Sequence, residues 1–288
     1  MTRDAWSRWS LVVASVLAAA GFCWPLVVAA VPKDAQAAVP AVALALVPAL
    51  VVALALTLDR EMHTATTVAL LGVLTAVGAA IRIAGTGVGG LEAVFIVLIL
   101  AGRAYGARFG FLLGMLVIAL SSVLWGGIGP WTPFQVFACG WVAAGASLLP
   151  RVRSAKGELA MLAGYGILSS YAFGLVMNFW FWPFAVGTST GISYAADAPL
   201  GQNLASFGLY SLVTSTLTWD TVRAITTTIG ILLVGPAALA ALRRAKVGRA
   251  RATPRNTGPG GGGTRTRPST ARDAAAVPPT APHPSAPA

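Results

Sequence analysis

Trp125-Gly-Gly-Ile-Gly-Pro-Trp-Thr-Pro-Phe-Gln135 separates two strongly apolar segments with a stretch that no regular helix can cross. Its prolines and glycines stop a helix by missing donors and by backbone freedom. The two tryptophans offer flat apolar faces, and Gln135 offers an amide that both donates and accepts. At a membrane surface such a break reads in two ways, as a mouth that grips a ligand or as an interfacial loop carrying aromatic-belt tryptophans.

Working outward, the composition favours a membrane setting. The chain has 288 residues, 56% hydrophobic and only 10% charged, against about 25% charged in soluble domains. Apolar runs recur at the spacing of membrane spans, which need about 20 residues each. The expected fold is therefore all-α, a polytopic transmembrane helical bundle of about eight spans. They read as 9–30, 40–58, 65–84, 91–101, 110–124, 134–149, 159–184 and 221–242. Residues 1–64 form an N-terminal pair and 65–245 a six-helix core. The Arg-, Pro- and Gly-rich tail 246–288 has almost no large apolar side chains and is expected to be disordered. The first run resembles a signal peptide but is long for one, and is read as an uncleaved span.

The formal charge of +11 does not indicate nucleic acid, because the basic residues sit in short loops and in the tail. The N-terminus, Arg60, Arg103, Arg108, Arg151, Arg153, Lys156 and the tail fall on one side of the predicted bundle. Only Lys33, Arg82 and Arg223 fall on the other. The positive-inside rule then makes both termini cytoplasmic in a multi-pass plasma-membrane protein in contact with membrane lipid. The Trp125–Gln135 break and the aromatic run Asn178-Phe-Trp-Phe-Trp-Pro-Phe184 face outward. Between that run and the last span, 186–220 reads as a longer polar loop whose apolar patch, 204–217, is expected to form a partly inserted or surface helix.

Ionisable groups near a membrane are costly and so become functional candidates. Arg82, Glu92, Asp220 and Arg223 all fall at outer helix ends, where they suit ion pairs or ligand clamps. Asn178 and Trp182 share a helix face one turn apart. With Gln135, Trp125 and Trp131 these complete the candidate substrate-binding set. On the third span Gly72, Ala76 and Ala80 recur at steps of four, a smooth face that suits a docking partner or ordinary helix packing. Gly85-Thr-Gly-Val-Gly-Gly90 satisfies G-x-G-x-x-G but lacks the strand, soluble helix and acidic residue of a dinucleotide site. Cys23 and Cys139 read as free, buried thiols.

An enzyme is not expected. The only histidines are His63 and His283, no metal-binding or P-loop motif occurs, and no cofactor or metal is implied. The inner halves of the spans are nearly all aliphatic, which argues against an ion-coupled path, although a stand-alone permease or channel for a small solute remains the alternative.

Several stretches together resemble the substrate-binding S components of energy-coupling factor (ECF) vitamin transporters. They are the Gly72/Ala76/Ala80 helix, Leu100-Ala-Gly-Arg-Ala-Tyr-Gly106 with Phe109-Gly-Phe-Leu-Leu-Gly114, Gly129-Pro-Trp-Thr-Pro-Phe-Gln135, Asn178 with Trp182-Pro-Phe184, and Thr218-Trp-Asp-Thr-Val-Arg-Ala224. The resemblance covers roughly 65–245 and is closest to cobalamin-type members. It implies a six-helix body that captures a vitamin from outside and works with a T-type transmembrane subunit and two cytoplasmic ATPases. The Ala76/Ala80 face would contact the T subunit. The added N-terminal pair and the basic tail depart from the family pattern.

Overall fold

The computed structural model describes residues 3–28, 38–59, 65–85, 92–187, 190–195 and 197–252. Among them every regular element is a helix: α1 (Arg3–Phe22), α2 (Trp24–Val28), α3 (Ala38–Asp59), α4 (Ala65–Gly85), α5 (Val94–Tyr105), α6 (Ala107–Trp125), α7 (Thr132–Ala146), α8 (Ala155–Ala185), α9 (Leu200–Ser211) and α10 (Thr221–Ala252), with a π-helical segment, Leu212–Asp220, joining the last two. Four helical stretches are long and apolar enough to cross a membrane: α4, α6, α8 and the continuous run Leu200–Ala245. Large apolar side chains such as Val73, Leu124, Leu168 and Leu233 lie exposed on them. Such a surface is unfavourable in water and suits lipid contact.

The helix breaks follow local chemistry. Gly106, at φ 100°, separates α5 from α6, and Gly126, at φ 77°, ends α6 with its N–H donating to the Ser122 carbonyl. Both conformations favour glycine. Thr132 then starts α7 with Pro133 in its first turn, where proline's missing donor costs nothing. Gln135 thus belongs to the first turn of a helix, and its side chain is held by a regular backbone.

Helix α7 is the axis of the core. Phe134, Phe137 and Ala143 are fully buried, and α5 and α6 close on it through small residues. A Cβ on Gly102 would sit 1.8 Å from the Ala143 carbonyl oxygen, and one on Gly114 would sit 2.6 Å from that of Cys139. Backbones this close gain dispersion contact along their length, which is how apolar helices associate where lipid removes the hydrophobic drive.

Two expectations need correction, on the 186–220 loop and on Cys23. The N-terminal helices pack directly on the core. Residues 1–252 form one compact unit, with the Phe22 ring edge-on to Phe134 at 4.9 Å, Trp24 Nε1 donating to the Trp180 carbonyl (2.9 Å) and Trp141 Nε1 donating to Ser15 Oγ (3.0 Å). The surface helix expected over 204–217 is present but longer than expected, and it is not a separate surface element. From Leu200 one helix runs on to Ala252, with Asn203 and Tyr210 buried on one face of α9 and Phe207 on the same face against Phe179 and Trp182 of α8. Cys139 is buried as expected, but Cys23 is exposed. Residues 253–288, the glycine loop 86–91, Arg60, His63 and Lys33 lie outside the described residues, and α10 continues seven residues past the expected start of the tail.

Candidate functional site

The ends of α4, α5, α6, α7, α8 and α10 that carry Arg82, Glu92, Ser121, Gln135, Asn178 and Arg223 gather the buried polar side chains of one end of the bundle. Arg82, in the last turn of α4, donates from Nη1 to Ser121 Oγ (2.9 Å) and from Nη2 to Gln135 Oε1 (3.3 Å). Three helices are joined by this one guanidinium. Next to it on α6, the Ser122 hydroxyl is buried without a hydrogen bond among the described residues. A buried polar group in that state has unused capacity for a partner.

Arg223 forms the second half of the cluster. Its side chain is only 6% exposed and donates from Nε to Glu92, from Nη1 to Asp220 Oδ1 (2.7 Å) and from Nη1 to the Ser170 carbonyl (3.2 Å). The guanidinium also lies 4.8 Å from the Phe173 ring centroid and 5.5 Å from that of Phe95. Aromatic faces attract a desolvated cation through their quadrupole. Asp220 is wholly buried and accepts a further bond from Ser215 Oγ (2.8 Å) on its other oxygen. Glu92 is the exposed member of the triad, at 37%, so the network reaches from the bundle interior to its edge. Cys139 on α7 lies within Coulombic reach of Arg82, Glu92 and Arg223 together, so the two halves share one neighbourhood.

The backbone is adapted to hold Asp220. A Cβ on Gly174 of α8 would come within 2.1 Å of the Asp220 carboxylate; the space for that carboxylate exists because position 174 is glycine. The π-helical segment has its own polar ladder at steps of five. Ser211 faces Thr216, Ser215 donates to Asp220, and Thr221 Oγ1 donates to the Thr216 carbonyl (2.7 Å). Five-residue steps match the i→i+5 bonding of a π-helix, a form that frequently marks functional sites. Tyr171 hydroxyl, 3.0 Å from Thr221 Oγ1, ties this ladder to α8.

The remaining predicted residues are placed differently. Asn178 donates to Ser211 Oγ (3.0 Å), an interhelical clasp between α8 and α9. Trp182 is buried, donates from Nε1 to the Ile192 carbonyl (2.7 Å) and meets Tyr194 edge-on at 5.3 Å. It pins the α8–α9 connection. Trp125 and Trp131 are exposed; Trp131, one turn before Gln135, crowds Gly129, where a Cβ would lie 2.5 Å from its ring. Gly72, Ala76 and Ala80 all face outward, with open space where a Cβ on Gly72 would lie.

A cavity of about 810 Å³ opens between the α8–α9 connection and α9, lined by Thr190, Ser193, Tyr194, Gln202, Asn203 and Ser206 among others. Its size falls within the roughly 300–1,000 Å³ of small-molecule sites. Asn203 braces its wall by exchanging bonds with Ala195, accepting at Oδ1 (3.1 Å) and donating from Nδ2 (2.7 Å). Tyr194 donates to the Pro25 carbonyl (3.0 Å), and burial holds its hydroxyl pKa above the usual value, so it stays a donor at neutral pH. Nothing in the sequence reading pointed to Ser121, Ser170, Phe173 or Gly174. The only available signals were the five-residue spacing of Ser211, Thr216 and Thr221 and the small residues recurring along α8.

No protein-family model, curated protein or solved structure matches the chain.

Proposed function

We propose that the protein is a membrane-embedded solute-binding subunit, an ECF-type S component of eight spans that captures a vitamin on the outer face of the plasma membrane, cobalamin being the first choice. The observation that carries this reading is the gathering of Arg82 (α4), Gln135 (α7), Arg223 (α10), Asp220 (the π-helical segment) and Glu92 (just before α5), at the end opposite Arg103, Glu158 and Arg243. Intramembrane charge this far from water is costly, and proteins retain it mainly along substrate paths or as paired locks. In this reading the exposed Glu92 edge and Arg82 meet polar groups of the ligand. The polar cavity beside Tyr194 and Asn203 receives it from the outside. Trp125 and Trp131 provide apolar faces at the rim.

Energy for transport would come from a T-type subunit with two cytoplasmic ATPases, since the sequence contains no phosphate-binding loop of its own. The outward-facing Gly72, Ala76 and Ala80 form the surface offered to that subunit. The N-terminal helices, sharing the core with α7 and α8, would move together with it.

The test is thermal unfolding of the detergent-purified full chain against a panel of vitamins. A ligand at 100 times its Kd stabilises the native state by about 2.7 kcal/mol. A shift with one compound names the substrate. Absence of a shift across the panel, with solute flux in ATPase-free vesicles, would replace this reading by a stand-alone permease.

A further inference from the structure

At the opposite end of the bundle a second cavity, of about 740 Å³, is walled by Arg103, Arg151, Arg153, Glu158 and Arg243 together with Leu149. Four arginines face one glutamate there, a surplus of three positive charges. Arg103 and Arg243 are engaged: both donate to Glu158 Oε1, at 2.9 and 2.6 Å, and Arg103 also donates to the carbonyls of Leu149 (2.7 Å) and Pro150 (2.9 Å). Arg151 and Arg153 are exposed and pair with no described residue. Two of the three surplus charges therefore sit on unengaged side chains of the same short connection, held over a preorganised floor whose Arg103–Glu158–Arg243 cluster carries the third.

Two further features select the kind of anion. The N-terminus of α8, whose residue Ala155 lines the cavity, adds the positive end of a 31-residue helix to the arginine field. Apolar surface lies beside the arginines as well: Leu149 and Val152, the latter 37% exposed, line the cavity, and Leu148, next to Leu149 in the chain, is 79% exposed. A soluble phosphate has no use for that surface, whereas a lipid places an anionic phosphate and an apolar chain side by side. Arginine suits the phosphate because its fork donates two parallel bonds.

We infer that this cavity is a binding site for the phosphate headgroup of an anionic membrane lipid, with Arg151 and Arg153 as its primary ligands and the Arg103–Glu158–Arg243 cluster as its floor. The inference rests on the membrane reading and is independent of which solute the other end binds. Basic pockets between membrane helices on the cytoplasmic side are suited to such headgroups. Bound there, the lipid would tie the α7–α8 connection to α10 at the membrane surface.

The deciding experiment is competition for a fluorescent phosphatidylglycerol on the detergent-purified full chain. Phosphatidylglycerol is expected to compete at least tenfold better than phosphatidylcholine. The Arg151→Gln/Arg153→Gln double variant should erase that preference, while Lys156→Gln/Arg244→Gln, equal in charge change but outside the cavity lining, should retain it. Equal loss in both pairs would reduce the effect to diffuse charge and overturn the site. Glycerol 3-phosphate or a glutamate-rich peptide competing as well as phosphatidylglycerol would overturn it in favour of a soluble phosphate or a protein partner. A chain that inserts into phosphatidylcholine vesicles but shows no headgroup preference defeats this site alone; a chain that fails to insert defeats the membrane reading beneath it.

Discussion

At one end of the bundle a buried arginine, Arg223, is shared by two carboxylates, Glu92 and Asp220, whereas at the opposite end one carboxylate, Glu158, is shared by two arginines, Arg103 and Arg243. The Arg223 cluster together with Arg82 is formally balanced, two cations against two anions. The Glu158 cluster carries a surplus that Arg151 and Arg153 enlarge. The paired groups are buried to a similar degree, Arg223 and Asp220 at 6% and 1% exposure and Arg103 and Glu158 at 8% and 10%, but Arg243, the surplus member at Glu158, is 49% exposed. A balanced, desolvated cluster holds its geometry and responds strongly to loss of one member; a half-hydrated surplus can shed a partner to water and still attract an anion. The first arrangement suits a selective site or lock, the second an electrostatic foothold at the membrane surface.

The largest effect should follow Asp220→Ala, which leaves Arg223 in an apolar setting with less than its full set of partners. Breaking such a pair costs about 3–5 kcal/mol, read as a lowered melting temperature in detergent. Glu158→Gln should cost less, about 1.5–3 kcal/mol for charge-assisted bonds, because Arg243 can turn to water and Arg103 keeps the Leu149 and Pro150 carbonyls. If the two variants melt alike, the contrast between the ends is lost.

Smaller effects sharpen the functional side of the same contrast. Arg82→Gln removes the link from α4 to Ser121 and Gln135, and an outer ligand site predicts about tenfold weaker vitamin binding, or roughly 1.4 kcal/mol, in equilibrium titration. Unaltered affinity would separate the ionic cluster from the ligand. Ala76→Trp should change stability least, within about 0.5 kcal/mol for a surface position, and leave ligand binding intact. On the proposed function, reconstitution of the variant with a T-type subunit and ATPases should show loss of ATP-driven import, and normal import would remove the docking role from that face.

The α-helical class, the break at Gly126 and the segregation of arginines toward one end were legible in the sequence because each depends on local composition or backbone chemistry. The α8–α9 stretch was legible in part. Tyr194 and Asp197 lie outside regular helix as loop residues do, and the apolar patch 204–217 is helical, but Asn203 is helical too, because Asn203, Phe207 and Tyr210 share a face of α9 that α8 receives. Asn178 and Trp182 stood out in the sequence as polar or amphipathic groups within an apolar run, but spacing could not distinguish an interhelical clasp from a ligand contact.

Periodicity and composition alone are enough to make this chain a bundle of apolar helices with charge at their ends, since the cost of exposing backbone polar groups to lipid leaves few other solutions. Which charges meet is a different matter. Arg223 reaches Glu92 across 131 positions and Arg243 reaches Glu158 across 85, and only the packing of α5, α8 and α10 brings them together. The same holds for Gly174, an unremarked glycine in sequence, whose missing side chain is the volume that Asp220 occupies. Pair identity in a buried network depends on distances of a few ångströms between elements far apart along the chain, and those are set by helix packing, not by any local pattern.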